Sequence, residues 1–138
     1  MPDMRQFNQT VINEFRANSG KVGGQMAGIP LLLITMKGAK TGRSLTVPLA
    51  YTTDGSRCVI IASKAGAPNN PDWYHNLIAH PVVTVELGGE RFQARATEAG
   101  GAERDRLYTQ QAAQLPIFAD YQKKTTRRIP VFTLERIA

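Results

Sequence analysis

Between Ile29 and Ile137 the sequence carries six short runs rich in apolar and β-branched residues: PLLLITM, LTVPLAYT, RCVIIAS, VVTVELG, RFQARATE and IPVFTLERI. Runs of this length and composition are strand signals. Five of the six are reached by short connections, among them Asp54-Gly55, a strong hairpin dipeptide, and Gly88-Gly89. RFQARATE alternates, with Phe92, Ala94 and Ala96 on one face and Gln93, Arg95 and Thr97 on the other. Strands joined this closely must run antiparallel, and a sheet of six predicts a curled β-barrel. Two helical inserts interrupt it. In NNPDWYHNLIAHP, Asn70 reads as the N-cap, Pro71 as the first helical residue and Pro81 as the stop. The second insert runs from about Ala102 to Lys124 and breaks near Pro116.

Ahead of the strands, Met4, Phe7, Val11 and Phe15 recur at three- and four-residue steps, which predicts an amphipathic helix ended by Gly20. The stretch SGKVGGQMAG after it lacks periodicity and reads as a flexible connector. The expected organisation is therefore a helix and connector over 1–28 and a β-barrel domain over 29–138. The helix has three open roles: packing on the core, touching a membrane surface, or covering a site. No leader pattern opens the chain, and IPLLLITM is far shorter than the roughly 20 residues a bilayer span needs. Cys58, the single cysteine, has no disulfide partner and reads as a small buried hydrophobe. A cytoplasmic protein is expected, with the inner face of the plasma membrane as an alternative location. The oligomeric state stays open.

Net charge is +6, concentrated in the first half, where residues 1–64 hold eight Lys/Arg against three Asp/Glu. Lys21, Lys37, Lys40, Arg43, Arg57 and Lys64 carry this excess, which suits a polyanionic partner or a mildly biased solvated surface. KGAKTGRS, residues 37–44, looks like a shortened phosphate-binding P-loop. A P-loop needs a helix after its glycines, whereas LTVPLAYT, with Pro48 at its centre, reads as an edge or bulged strand. GAKTG is accordingly a β-turn, and nucleotide triphosphate chemistry is set aside. Nucleic-acid binding is set aside too, since no strand interleaves aromatic and basic residues.

His75 and His80 are five apart with no thiolate or carboxylate at ligand spacing, so no metal site is expected. His75 reads as a packing residue with one hydrogen bond. Neither a nucleophile elbow nor a dinucleotide fingerprint is present, which leaves any reactivity to a bound cofactor. ASKAGAPNNPDWYHN, residues 62–76, fits one. Small residues at Ala65-Gly66-Ala67 let a planar ring approach backbone amides, Lys64 adds a cation, and Trp73 and Tyr74 can wall the ring or pack on the barrel.

PLLLITMKGAKTGRSLTVPLAY, IIASKAGAPNNPDWYHNLIAHPVVTVEL and FADYQKKTTRRIPVFTLER together resemble the deazaflavin-dependent nitroreductase (Ddn-like) family of actinobacteria. The motifs G-x-K-[ST]-G, A-S-[KN]-x-G, P-x-W-Y-x-N-L and D-Y-Q-x4-R-x-I-P occur in order from about Pro30 to Ile137. The resemblance implies an antiparallel split β-barrel of the FMN-binding type and the 8-hydroxy-5-deazaflavin coenzyme F420, with FMN the weaker alternative. It places Lys40 and Gly42 near the cofactor phosphate, with Thr41 between them and Arg43 as a further cofactor-binding candidate that could supply the tail charge, and Pro48 and Leu49 along the ring. It sets Ile61, Ala62, Ser63, Lys64, Ala65 and Gly66 beside ring and tail, and Trp73 and Asn76 in a helical wall. Leu45 stands where the family usually has arginine; Arg43, two residues earlier, is expected on the same face.

On the acceptor side Leu115 and Phe118 replace two family tyrosines and Tyr121 is kept, which implies a more apolar pocket suited to quinones or enones, with nitroaromatics as further acceptors. Ser63 and Tyr121 are the candidate hydrogen-bond donors to the acceptor. The expected activity is hydride transfer from reduced F420. The alternative is a non-catalytic binder of F420, a fatty acid or another hydrophobic ligand.

Overall fold

The computed structural model describes residues 4–23 and 28–137. Helix α1 (Met4–Ala17) precedes strands β1 (Leu31–Lys37), β2 (Ser44–Ala50), β3 (Thr52–Asp54) and β4 (Arg57–Ile61). Helix α2 (Asp72–Ala79), strands β5 (Val82–Leu87) and β6 (Glu90–Glu98), helices α3 (Gly101–Gln114) and α4 (Ile117–Lys123), and strand β7 (Val131–Arg136) follow. The strands form one sheet in the order β2-β1-β5-β6-β7-β4-β3, antiparallel at every pairing.

Seven strands stand where the sequence suggested six, because LTVPLAYT divides at Tyr51. Its halves, β2 and β3, occupy opposite edges of the sheet. One residue joins them, so with Cα atoms about 3.8 Å apart along the chain those edges must lie close together. The sheet can satisfy this only by curling, and it forms a half-barrel in which β2 also approaches β4. Tyr51 marks the corner, its amide donating to the Pro30 carbonyl at 3.2 Å. Pro48 sits on edge strand β2, opposite Leu33, in an unbroken register. An edge strand tolerates the missing N–H there.

Strand β1 is apolar at nearly every position because both faces are covered. Leu32, Ile34 and Met36 point into the barrel with Ile60, Phe132 and Leu134, while Leu31 and Leu33 meet Val11, Ile12 and Phe15 of α1. Phe15 is 1% exposed, burial that stabilises by about 1.5–3 kcal/mol. Val11, Ile12 and Phe15 of α1 therefore pack on the sheet with Phe7 partly buried beside them, and Gln6, Gln9, Thr10 and Asn13 face solvent. Arg16 ties the helix to β5 through two hydrogen bonds to Glu86, at 3.0 and 2.8 Å. The helix ends as the glycine placement predicted, with Gly20 N–H donating to the Phe15 carbonyl at 2.8 Å. Of the predicted connector, 24–27 lie outside the described residues, and Val22 packs with α1.

On the other outer flank Val59 and Ile61 of β4 lie under α3 and α4, against Leu107, Tyr108, Phe118 and Ile129. The break between these helices falls at Leu115-Pro116. Cys58 is buried, and burial pushes its thiol pKa up. Two local expectations are corrected. The turn after β1 is wider than a β-turn, closed by Gly42 N–H donating to the Gly38 carbonyl at 2.9 Å. The N-cap of α2 is Pro71, because the Asn70 side chain is engaged elsewhere, accepting from Arg127 at 2.6 Å.

Candidate active site

The hairpin turn of residues 38–43 leans on α2 through one buried amide. Asn76, 6% exposed, accepts from the Ala39 N–H at 2.9 Å, and its own NH2 group lies 3.6 Å from the Met36 sulfur. Asn76 thus fixes the distance between the turn and the helix, and two adjoining hollows open there. One, of about 410 Å³, is lined by Gly38, Lys40, Thr41, Leu45, Asp72 and His75. The other, of about 500 Å³, runs under α1, with Asn8, Gln9 and Ile12 above and Thr46, Val47 and Trp73 below. Leu45, Asp72 and Asn76 line both. Each has the size of a small-molecule site.

Beyond β4 the backbone does something rarer. Ser63 is right-handed (φ −76°, ψ −38°), and Lys64, Ala65 and Gly66 follow with φ of 47°, 54° and 81°. Non-glycine residues in that region cost roughly 1–2 kcal/mol each. A right-handed residue followed by a left-handed one turns successive N–H groups into one concavity, which binds anionic or carbonyl oxygen. The amides of Ser63, Lys64 and Ala65 make no hydrogen bond within the described residues. Those of Gly66 and Ala67 close the turn onto the Ser63 and Lys64 carbonyls, both at 3.0 Å. Gly66 must be glycine: a Cβ there would lie 2.8 Å from the Tyr121 carbonyl oxygen of α4.

A sequence profile of the F420H(2)-dependent quinone reductase family matches residues 6–136. The chain belongs to that family. An F420H(2)-dependent quinone reductase of Mycobacterium tuberculosis strain H37Rv is 36% identical over 126 residues, covering 88% of this chain and 85% of the relative. A solved F420-H2-dependent reductase, FDR-A, superposes with TM-score 0.71 at 38% identity, over 77% of this chain and 94% of the other. A second solved chain, described as a domain-swapped dimer, gives TM-score 0.74 at 34% identity over 96% of each. The protein is an F420H(2)-dependent oxidoreductase with a split-barrel fold.

The predicted F420-site residues fall into two groups. Lys40, Thr41, Trp73 and Asn76 line the cleft. Gly42 closes the turn beside it, and Arg43 stays exposed in the turn, outside β2 and off the cleft wall that Leu45 forms. Pro48 and Leu49 are half-buried on β2, with Leu49 packed into the barrel. The second group is the turn itself. Ser63 is 8% exposed, Ala65 is exposed, and Lys64 Nζ lies 3.4 Å from Asn69 Oδ1. Ile61 and Ala62 are buried beneath it. Tyr121 stands next to this turn on α4, edge-on to buried Phe118 at 5.4 Å, with Leu115 packed in the same apolar cluster. Trp73 packs 6.1 Å from Phe132 and also lines the cleft.

Other expectations need correcting. His75 is exposed, lines the cleft and meets the Tyr74 ring edge-on at 5.2 Å, so it is no packed core residue. Arg57 drops out of the basic patch, because Asp54 and Glu103 pair with it. Sequence reasoning missed Asn8, Gln9, Ile12 and Asp72 as cleft residues, and it gave Arg127 no role. Arg127 was visible as the fixed arginine of D-Y-Q-x4-R-x-I-P, but nothing local showed which carbonyls it would meet. Among the described residues no group of three or more metal-ligating side chains occurs, and no helix is long and apolar enough to cross a membrane.

Proposed function

We propose that the chain transfers a hydride from reduced F420 to a hydrophobic acceptor of the quinone or enone class, using the cleft and the turn after β4 as one site. The observation that carries this is the concavity of three amides at Ser63, Lys64 and Ala65 that have no partner among the described residues, in a fold that also holds a cleft edged by Lys40. A flat ring with carbonyl oxygens and an anionic tail needs close backbone amides, a slot and a cation. The turn, the cleft and Lys40 offer these three features, which supports reading them as the cofactor site.

When bound in its reduced form, F420 supplies the hydride. The chain's task is positioning, which removes much of the entropic barrier. Lys40, with Arg43 alongside, binds the tail phosphate, and the turn between them stays solvated so that the tail can run outward. Trp73 walls the ring, and Asn76 holds the turn against α2 at the required width. The amides of Ser63, Lys64 and Ala65 bind an oxygen of the ring. Ser63 Oγ and the Tyr121 hydroxyl donate to the acceptor oxygen as negative charge develops there. Leu115 and Phe118 make the acceptor side apolar, which favours quinones and enones over nitroaromatics. Because Val11, Ile12 and Phe15 of α1 are already buried, contact with a membrane holding a quinone would fall to the basic hairpin.

The test is reconstitution of the purified chain with reduced F420, menadione and an enone, following cofactor oxidation. Turnover that falls at least tenfold in Tyr121→Phe or Ser63→Ala with unchanged cofactor affinity supports the donor roles. Tight cofactor binding with no turnover across a broad acceptor panel would overturn the reading.

A further inference from the structure

We propose that Arg127 is the positioning residue of this site: its guanidinium holds the chain from Ala62 to Asn70 in the one shape that turns the Ser63, Lys64 and Ala65 amides toward a ligand. This rests on reading that turn as part of the F420 site. Two side-chain-bearing residues in succession, Lys64 and Ala65, have positive φ, so the turn needs restraint from outside itself.

Arg127 reaches the chain on both sides of the turn. Nη1 donates to the Ala62 carbonyl at 3.1 Å and to Asn70 Oδ1 at 2.6 Å. Nη2 donates to the Ser63 carbonyl at 2.9 Å and the Ala67 carbonyl at 3.0 Å, and Nε to Ala67 again at 3.2 Å. A trans peptide is planar, so its C=O and N–H point opposite ways. Aiming the Ala62 and Ser63 carbonyls at Arg127 therefore aims the Ser63 and Lys64 amides away from it, into the concavity.

The geometry also separates this role from direct anion binding. Arginine has five N–H donors, and the five hydrogen bonds above engage each of them. None is left for a phosphate. Arg127 is in turn held by the helices: Gln122 Nε2 donates to the Arg127 carbonyl at 2.8 Å, and Gln122 Oε1 accepts from buried Arg104 at 2.7 Å. Arg104 also donates to the Ile129 carbonyl, at 3.0 and 2.7 Å. The restraint on the ligand-binding amides is thus anchored in α3 and α4, away from the cleft.

The experiment combines hydrogen exchange of the cofactor-free protein with F420 titration, for Arg127→Lys and Arg127→Ala. Lysine keeps the charge but not the planar fork, so Arg127→Lys is the variant expected to stay folded. The Gly66 and Ala67 amides, which close the turn, should exchange about tenfold faster or more, and the F420 dissociation constant should rise by about tenfold or more. Added guanidinium ion should recover much of both losses in Arg127→Ala, which a general packing defect would not show. Lys40→Glu serves as the contrast, losing affinity with exchange at Gly66 and Ala67 unchanged. A folded Arg127→Lys protein with wild-type exchange at these amides would overturn the proposal. Faster exchange with unchanged F420 affinity would leave the clamp standing and remove the turn from the cofactor site.

Discussion

Lys40 and Gly66 show how differently single residues bear on this site. Lys40 is exposed on the hairpin turn, so its charge can be reversed without disturbing any packed neighbour. Lys40→Glu should raise the F420 dissociation constant by about tenfold or more while the unfolding midpoint stays put. An unchanged dissociation constant would put the tail elsewhere. Gly66 is the opposite case, buried at φ 81° with α4 backbone against it. Gly66→Ala should cost roughly 2–4 kcal/mol, combining left-handed strain with displacement of α4, read as a lower urea midpoint. The two residues also differ in legibility. A cation between glycines announces a solvated turn, and Lys40 could be placed from sequence. Three successive positive φ values cannot be read from Lys-Ala-Gly, because two of those residues normally avoid that region. They are imposed by Arg127, some sixty positions along the chain.

Elements were legible where their period was clear and illegible where a distant partner decided them. The alternation of β6 and the stripe of α1 appear where the pattern put them, since each is set by one buried face. The division of LTVPLAYT was hidden, because only the curl of the whole sheet reveals that Tyr51 is a corner. The Asn70 cap failed for a similar reason, a long-range partner outbidding a local one. For α1 the open question was what its stripe covers, and the structure ranks its two attachments. The Arg16–Glu86 pair is half-exposed on the arginine side and should contribute about 1 kcal/mol or less. Phe15 is enclosed and Phe15→Ala should cost about 3–5 kcal/mol. Urea unfolding of Phe15→Ala and Arg16→Ala compares them directly. Because α1 roofs the cleft through Asn8, Gln9 and Ile12, Phe15→Ala should also weaken F420 binding, whereas Arg16→Ala should change it little.

At the scale of the molecule, the curl that makes the cleft depends on keeping β3, a three-residue edge strand, in place. It is too short to hold by its ladder to β4 alone, and α3 supplies the rest. Gln110 donates to the Thr53 carbonyl at 2.7 Å, and the Thr52 hydroxyl donates to buried Gln111 at 3.0 Å. Asp54 adds the charged contact, accepting from Nη1 and Nη2 of Arg106 on α3, at 3.1 and 3.2 Å, and from Arg57 on β4. Hydrogen bonds from Arg106 and then Arg57 hold its carboxyl well below the ordinary 3.8, at about 2. A carboxylate depressed in the folded state stabilises the fold fully above its unfolded pKa and loses that contribution as it protonates. Stability should therefore fall as pH drops from about 4 toward 2, with β3 and the α3 contact loosening first. Urea midpoints measured from pH 5 to pH 2 should show this slope in the wild type. Asp54→Asn should start lower at pH 5 and vary less across the same window. Equal slopes in both proteins would mean that other carboxylates govern acid unfolding and that the closure of the half-barrel does not depend on this pair.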